Sequence, residues 1–197
     1  MLVFFKERLV FLAVPKTGST AYHSALAARA SLVITDPPEL KHAPLYRYDR
    51  FIRPIYDKIC NTELETLAVV REPVSWLGSW YRYRQRPFLQ GKPNSTAGIS
   101  FDAFVLAYLK GERPAFADVG SQARFLQPRP DGAPVTHLFR HDQPERLDHF
   151  LAERLGGAVE TRRENASPVQ ELDLSPGVEK RLRRKCAAEF DLYESAG

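Results

Sequence analysis

The six residues "PKTGST", Pro15 to Thr20, bring one ammonium, three hydroxyls and one glycine into a single short stretch. That set suits the binding of an oxyanion. Gly18 lets a ligand approach the backbone with no Cβ in the way, Thr17, Ser19 and Thr20 offer hydroxyl donors, and Lys16 adds a full positive charge. A second set lies in "VVREPVSWLGSWYRYR", where Arg71 is followed eight residues later by Ser79. An arginine and a hydroxyl so placed can serve a second anion.

The flanking pattern says which elements must position them. Leu2 to Phe5 and Leu9 to Val14 read as two strands joined at the charged turn Lys6 to Arg8, the second so apolar that it belongs at the buried centre of a sheet. Ser19 or Thr20 caps a helix running to about Ala30, and Leu32 to Ile34 forms a further strand before "DPP". The first anion set therefore sits where a strand opens into a helix, where backbone N–H groups and the helix dipole favour negative charge. Thr66 to Val70 is another buried strand, and Pro73 begins a helix to about Arg84, which puts Arg71 at a second strand-to-helix turn. Ligands of open α/β sheets collect outside the carboxyl ends of the strands, so both sets should open on one crevice.

Elsewhere the pattern is coarser. The segment 42–60 reads as two short helices broken at Pro54, and Arg86 to Ser100 as the main loop. Ser100 starts a helix to Lys110, "VTHLFR" is a strand, "QPERLDHFLAERLGG" is a helix closed by Gly156 and Gly157, and Ser175 with Pro176 starts one C-terminal helix. Strands alternating with helices give an α/β fold, residues 1–197 forming a single domain with a mostly parallel sheet flanked by helices.

Several classes are disfavoured. A nucleotide triphosphatase loop needs G-x-x-x-x-G-K-[ST], whereas Lys16 precedes the only glycine of its turn. The strand ending at Val70 is followed by Arg71 and Glu72 rather than by an acid placed to organise Mg²⁺. A basic nucleic-acid-binding module is the main rival, but 24 acids are interleaved with 28 bases and no RNA-recognition or zinc-finger pattern is present. Cys60 and Cys186 lie far apart, with no metal-ligand spacing, and read as reduced structural thiols. The apolar N-terminus is split by Lys6, Glu7 and Arg8, too short for a membrane span, and a cytoplasmic location is expected.

Taken together, the two anion sets resemble those of the sulfotransferases that use 3′-phosphoadenosine 5′-phosphosulfate (PAPS), the carbohydrate and bacterial branch in particular. "PKTGST" is similar to the 5′-phosphosulfate loop of that family and "REPVSWLGSWY" to its 3′-phosphate motif. The segments "SFDAFVLAYL", "SQARFL", "HLFRHDQPERLDHFLAERLG", "RENASP" and "AEFDLYE" are weaker matches. The resemblance implies a P-loop-like sulfotransferase fold and transfer of a sulfuryl group to an acceptor hydroxyl, carbohydrate or glycolipid, without metal. Lys16, Thr17, Gly18, Ser19 and Thr20 would hold the phosphosulfate, Arg71 and Ser79 the 3′-phosphate, and Asn165 would lie near the nucleotide. Lys16 would also act in catalysis, with His42 as base and Glu39 in reserve. A relative that binds nucleotide but has lost catalysis is the alternative within that family.

Overall fold

The computed structural model describes residues 1–161 and 172–197. Five strands form one sheet in the order β3-β1-β2-β4-β5: β1 Leu2–Phe4, β2 Leu9–Leu12, β3 Leu32–Val33, β4 Glu65–Val70 and β5 His137–Arg140. The sheet is mixed rather than mostly parallel in its pairings. β2 pairs in parallel with β4 and β4 with β5, but β1 is antiparallel to both β2 and β3. Its reversal follows from the four-residue connection to β2, which is too short for a parallel crossover. Because β3 also opposes β1, the four strands other than β1 point the same way.

Alternation along the strands sorts the core onto two faces. Val3, Val10, Leu12, Ala68 and Val70 face one side, under the helical segment 45–59. Leu2, Phe4, Leu9, Phe11, Leu67 and Val69 face the other, where α1 Ser19–Leu26 contributes Tyr22 and Leu26, and the helix Pro144–Leu155 contributes Leu147, Leu151 and Leu155. A further cluster joins helices outside the sheet. α2 Pro73–Arg84 packs Trp76, Leu77 and Tyr81 against α3 Phe101–Tyr108 and the C-terminal helices. The remaining labels are α4 Gln122–Phe125, α5 Pro144–Leu155, α6 Pro176–Lys185 and α7 Ala187–Ser195.

Four local expectations are corrected. The segment 45–59 is one helical run, not two helices, because its turns widen to π geometry on either side of Pro54 and make room for the ring. α1 ends at Leu26 in a 3₁₀ turn, and its N-cap is Gly18, with no side-chain cap from Ser19 or Thr20. The C-terminal helix breaks at Cys186 (φ −120°, ψ 35°) into α6 and α7. Arg183, Arg184 and Lys185 before the break and Glu189 after it complement the ends of two separate helix dipoles. Ser175 makes no side-chain cap either; its N–H donates to Asp102 Oδ1 at 3.0 Å.

Candidate functional site

Parallel register sets the site. Leu12 lies opposite Ala68 in the β2–β4 pair and Val70 opposite Arg140 in the β4–β5 pair, so the turns after β2, β4 and β5 emerge side by side. After β2 the backbone turns left-handed twice, at Lys16 (φ 66°) and at Gly18 (φ 79°). Alternation of left- and right-handed residues gathers N–H groups into a concave nest. The carbonyls of the same loop are tied elsewhere. Val14 O accepts from Thr17 Oγ1 at 2.9 Å and from Ser19 Oγ at 3.4 Å, Pro15 O accepts from Trp76 Nε1 at 2.9 Å, and Lys16 O accepts from Arg71 Nη1 at 3.5 Å. In this structure the hydroxyls of Thr17 and Ser19 donate within the loop, to the Val14 carbonyl. Gly18 is exposed and Thr20 half-buried, and the start of α1 has no side-chain cap, although Ala21 N donates to Gly18 O at 3.1 Å.

Lys16 is surrounded by cations. Burial first, then Arg86, Arg71 and Arg82, push its ammonium down to about 8 from 10.5. Its Nζ lies 4.4 Å from the centre of the Tyr83 ring and 5.8 Å from that of Trp80. The Trp80 indole N–H is buried with no hydrogen-bond partner among the described residues, an unsatisfied donor on a ring beside the ammonium. Concentrating positive charge in a half-buried crevice costs free energy unless an anion occupies it.

Arg71 is held by three groups. The side-chain amide of Gln122 accepts from Arg71 N and donates to Arg71 O, both at 2.9 Å, and Arg71 Nε donates to Ser75 Oγ at 2.9 Å. Ser79 lies four residues beyond Ser75 on the same face of α2 and is buried. Glu72, the acid beside Arg71, caps α2 by accepting from Val74 N and Ser75 N. Gln122 is itself positioned by Glu189 of α7, whose buried carboxylate accepts from Ser121 Oγ, Gln122 N and Ala123 N. The segments "SQARFL" and "AEFDLYE" thus meet behind Arg71.

The histidines divide by role. His42 lies 2.6 Å from Ala13 O through Nδ1, and since a carbonyl only accepts, Nδ1 carries the proton and Nε2 keeps its lone pair. Burial holds this imidazole below its usual value, so it is neutral at pH 7. It lines a cleft of about 320 Å³ with Tyr46, Trp76, Arg113, Gln122 and Phe125. Ala13 is three residues before Lys16, so the carbonyl that anchors His42 is at most about 10 Å from the Lys16 backbone. Glu39 is exposed and is not among the residues lining the cleft. His23 packs Nε2 at 2.9 Å from Met1 N and is a structural residue. His141, unmarked in the sequence, stands over the loop: a Cβ on Gly18 would lie 3.5 Å from its ring. The signal was available, since His141 follows the end of a third parallel strand, but "RHD" has no composition of its own to mark it.

Arg84 is not on a solvated face. It is buried, donating to Ala115 O and, at 2.7 Å, to Asp118 O. Arg82 and Arg86, by contrast, are among the cations acting on Lys16. Asn165 lies outside the described residues. Among those residues no helix is long and apolar enough to cross a membrane, and no group of three His, Cys, Asp or Glu side chains is arranged to hold a metal. Comparison of the chain with family models, with curated proteins and with solved structures returned no match.

Proposed function

We propose that this chain is a PAPS-dependent sulfotransferase acting on an acceptor hydroxyl, with carbohydrate or glycolipid as the class that the sequence resemblance implies. The observation that carries the reading is the crowding of cations around the half-buried Lys16 ammonium. Arg86, Arg71 and Arg82 all act on Lys16 beside the start of α1, and Glu72, which caps α2, and Asp142 offset only part of the charge at Arg71. That chemistry fits a ligand with negative groups at two ends, the 5′ group toward Lys16, Gly18 and Thr20 and a 3′-phosphate toward Arg71 and Ser79.

The bound donor would supply a sulfuryl group, its S–O bond to the 5′-phosphate breaking as a bond to the acceptor oxygen forms. The Lys16 ammonium supplies positive charge where the leaving phosphate oxygen gains negative charge. His42 Nε2 removes the acceptor proton, and the Ala13 carbonyl keeps the imidazole in the tautomer that can do so. Trp76 separates and connects the two halves, lining the His42 cleft while its indole N–H fixes the Lys16 loop.

The test is a thermal-shift titration with adenosine 3′,5′-bisphosphate against AMP and ATP. At 100 times its dissociation constant the bisphosphate should add about 2.7 kcal/mol of stability. Equal shifts with AMP would overturn the 3′-phosphate assignment. A bisphosphate shift without transfer to any acceptor from labelled PAPS would favour the nucleotide-binding, non-catalytic alternative.

A further inference from the structure

The helical run 45–59 carries a face that the fold leaves uncovered. Its inner side is apolar and packed: Leu45 and Tyr48 are fully buried, and Ile52 and Tyr56 pack against the same core. Its outer side is apolar as well, with Phe51 63%, Ile55 48% and Ile59 79% exposed. These three residues recur every fourth position and are among the most exposed large apolar side chains of the described residues. A solvent-facing stripe at that spacing is not needed by the core, which already has its own stripe from the same helix.

The exposed charges on the run itself are all basic, although Glu63 just beyond it is exposed as well. Arg47, Arg50 and Lys58 are exposed on this run, and Arg50 lies against the Phe51 ring at 5.2 Å. The acids of the run are less exposed than its bases. Asp49 is paired with Arg53 at 2.8 Å with its side chain 7% exposed, and Asp57 has a buried carboxylate oxygen. An apolar stripe flanked by cations, with its acids less exposed, complements a surface that is apolar below and anionic above.

We infer that the 45–59 helix docks on an anionic lipid bilayer, lying in the headgroup plane with Phe51, Ile55 and Ile59 in the acyl boundary and Arg47, Arg50 and Lys58 on the phosphates. Tyr46 at the start of the run is 42% exposed and also lines the His42 cleft together with Pro44, so docking brings the mouth of that cleft to the headgroup layer. The inference does not depend on the reaction carried out at Lys16.

The experiment is co-sedimentation of the full chain, without nucleotide, with phosphatidylcholine vesicles that contain or lack phosphatidylserine. The wild type should pellet with the anionic vesicles and lose binding as salt is raised. The triple variant Phe51→Gln, Ile55→Gln, Ile59→Gln should bind at least about tenfold more weakly, as should Arg47→Gln, Arg50→Gln, Lys58→Gln. All six positions are exposed, and an unchanged melting temperature and an unchanged bisphosphate shift would show that fold and anion crevice are intact. Equal pelleting of wild type and both variants would overturn the assignment. So would failure of the wild type to pellet, or a self-associated wild type that the apolar triple variant returns to monomer, which would give the stripe to a second copy of the chain.

Discussion

At Lys16 the fold holds an ammonium where burial and three guanidinium groups all oppose its charge. Two opposite consequences follow from one side chain. Without ligand, Lys16→Met removes a repelling cation and should raise the melting temperature at pH 7 by about 2 °C, a shift typical of a small stability gain in a domain of this size; with saturating bisphosphate the order should reverse. A wild type more stable than the variant in both states would contradict the crevice electrostatics. The lowered value also gives a sign for pH. The unfolded chain binds the Lys16 proton more tightly, so this group's penalty on the ligand-free fold is present below about pH 8 and is relieved as pH rises from there toward 10.5. Transfer should behave differently, because it needs His42 neutral and Lys16 charged. A bell-shaped kcat/KM profile is expected, rising through a value below the usual 6.5 of histidine and falling through about 8. His42→Ala should lower transfer by about 10²–10⁴ while leaving the bisphosphate shift in place.

The Lys16 loop is supported by elements from other parts of the chain, and the support can be tested one contact at a time. Trp76→Phe keeps the ring and deletes the donor to Pro15 O, leaving that carbonyl without its indole partner. Chemical denaturation should show a loss of about 1 kcal/mol, together with weaker bisphosphate binding. Gln122→Leu strands both backbone groups of Arg71 and should cost more, roughly 1–3 kcal/mol. If Arg71 serves the 3′-phosphate, this variant should lose more affinity for the bisphosphate than for AMP. These partners mark the limit of what the sequence discloses. Strands, α2 and the Gly156 helix stop are local, written in apolar runs, in Pro73 and in a left-handed glycine, and they were legible. The direction of β1 is legible in its short charged connection to β2, which cannot hold a parallel crossover, whereas the alternation of strands with helices alone suggests a mostly parallel sheet. Gln122, Glu189 and His141 were not legible in their roles, because a side chain's partner 51 or 67 residues away leaves no local periodicity. For Thr17 and Ser19 the residue type says that the hydroxyls can donate, while only the loop's conformation says to what.

For the molecule as a whole, the parallel strands separate two ends with different electrostatics. At the carboxyl ends Lys16 and Arg71 crowd together with Arg82 and Arg86. The opposite end is closed by its own contacts, Glu65 pairing with Arg154 at 2.6 Å and hydrogen-bonded to His137 at 2.8 Å across β4, β5 and α5. Those contacts hold the Glu65 carboxyl below its usual value, the His137 hydrogen bond contributing most, so its share of stability is present above about pH 4.5 and is lost as pH falls through its folded value. Acid unfolding followed by circular dichroism should accordingly be shallower in Glu65→Gln, and an identical acid limb in variant and wild type would exclude that contribution. The final helix has a consequence of another kind. Glu189 holds the turn that holds Arg71, and Arg140, at the end of β5, donates to the carbonyls of Tyr193 and Glu194. During synthesis, then, the Lys16 loop and the strand behind it leave the ribosome long before the residues that set Arg71, and a nascent chain lacking its last helix carries the lysine without the arginine's clamp.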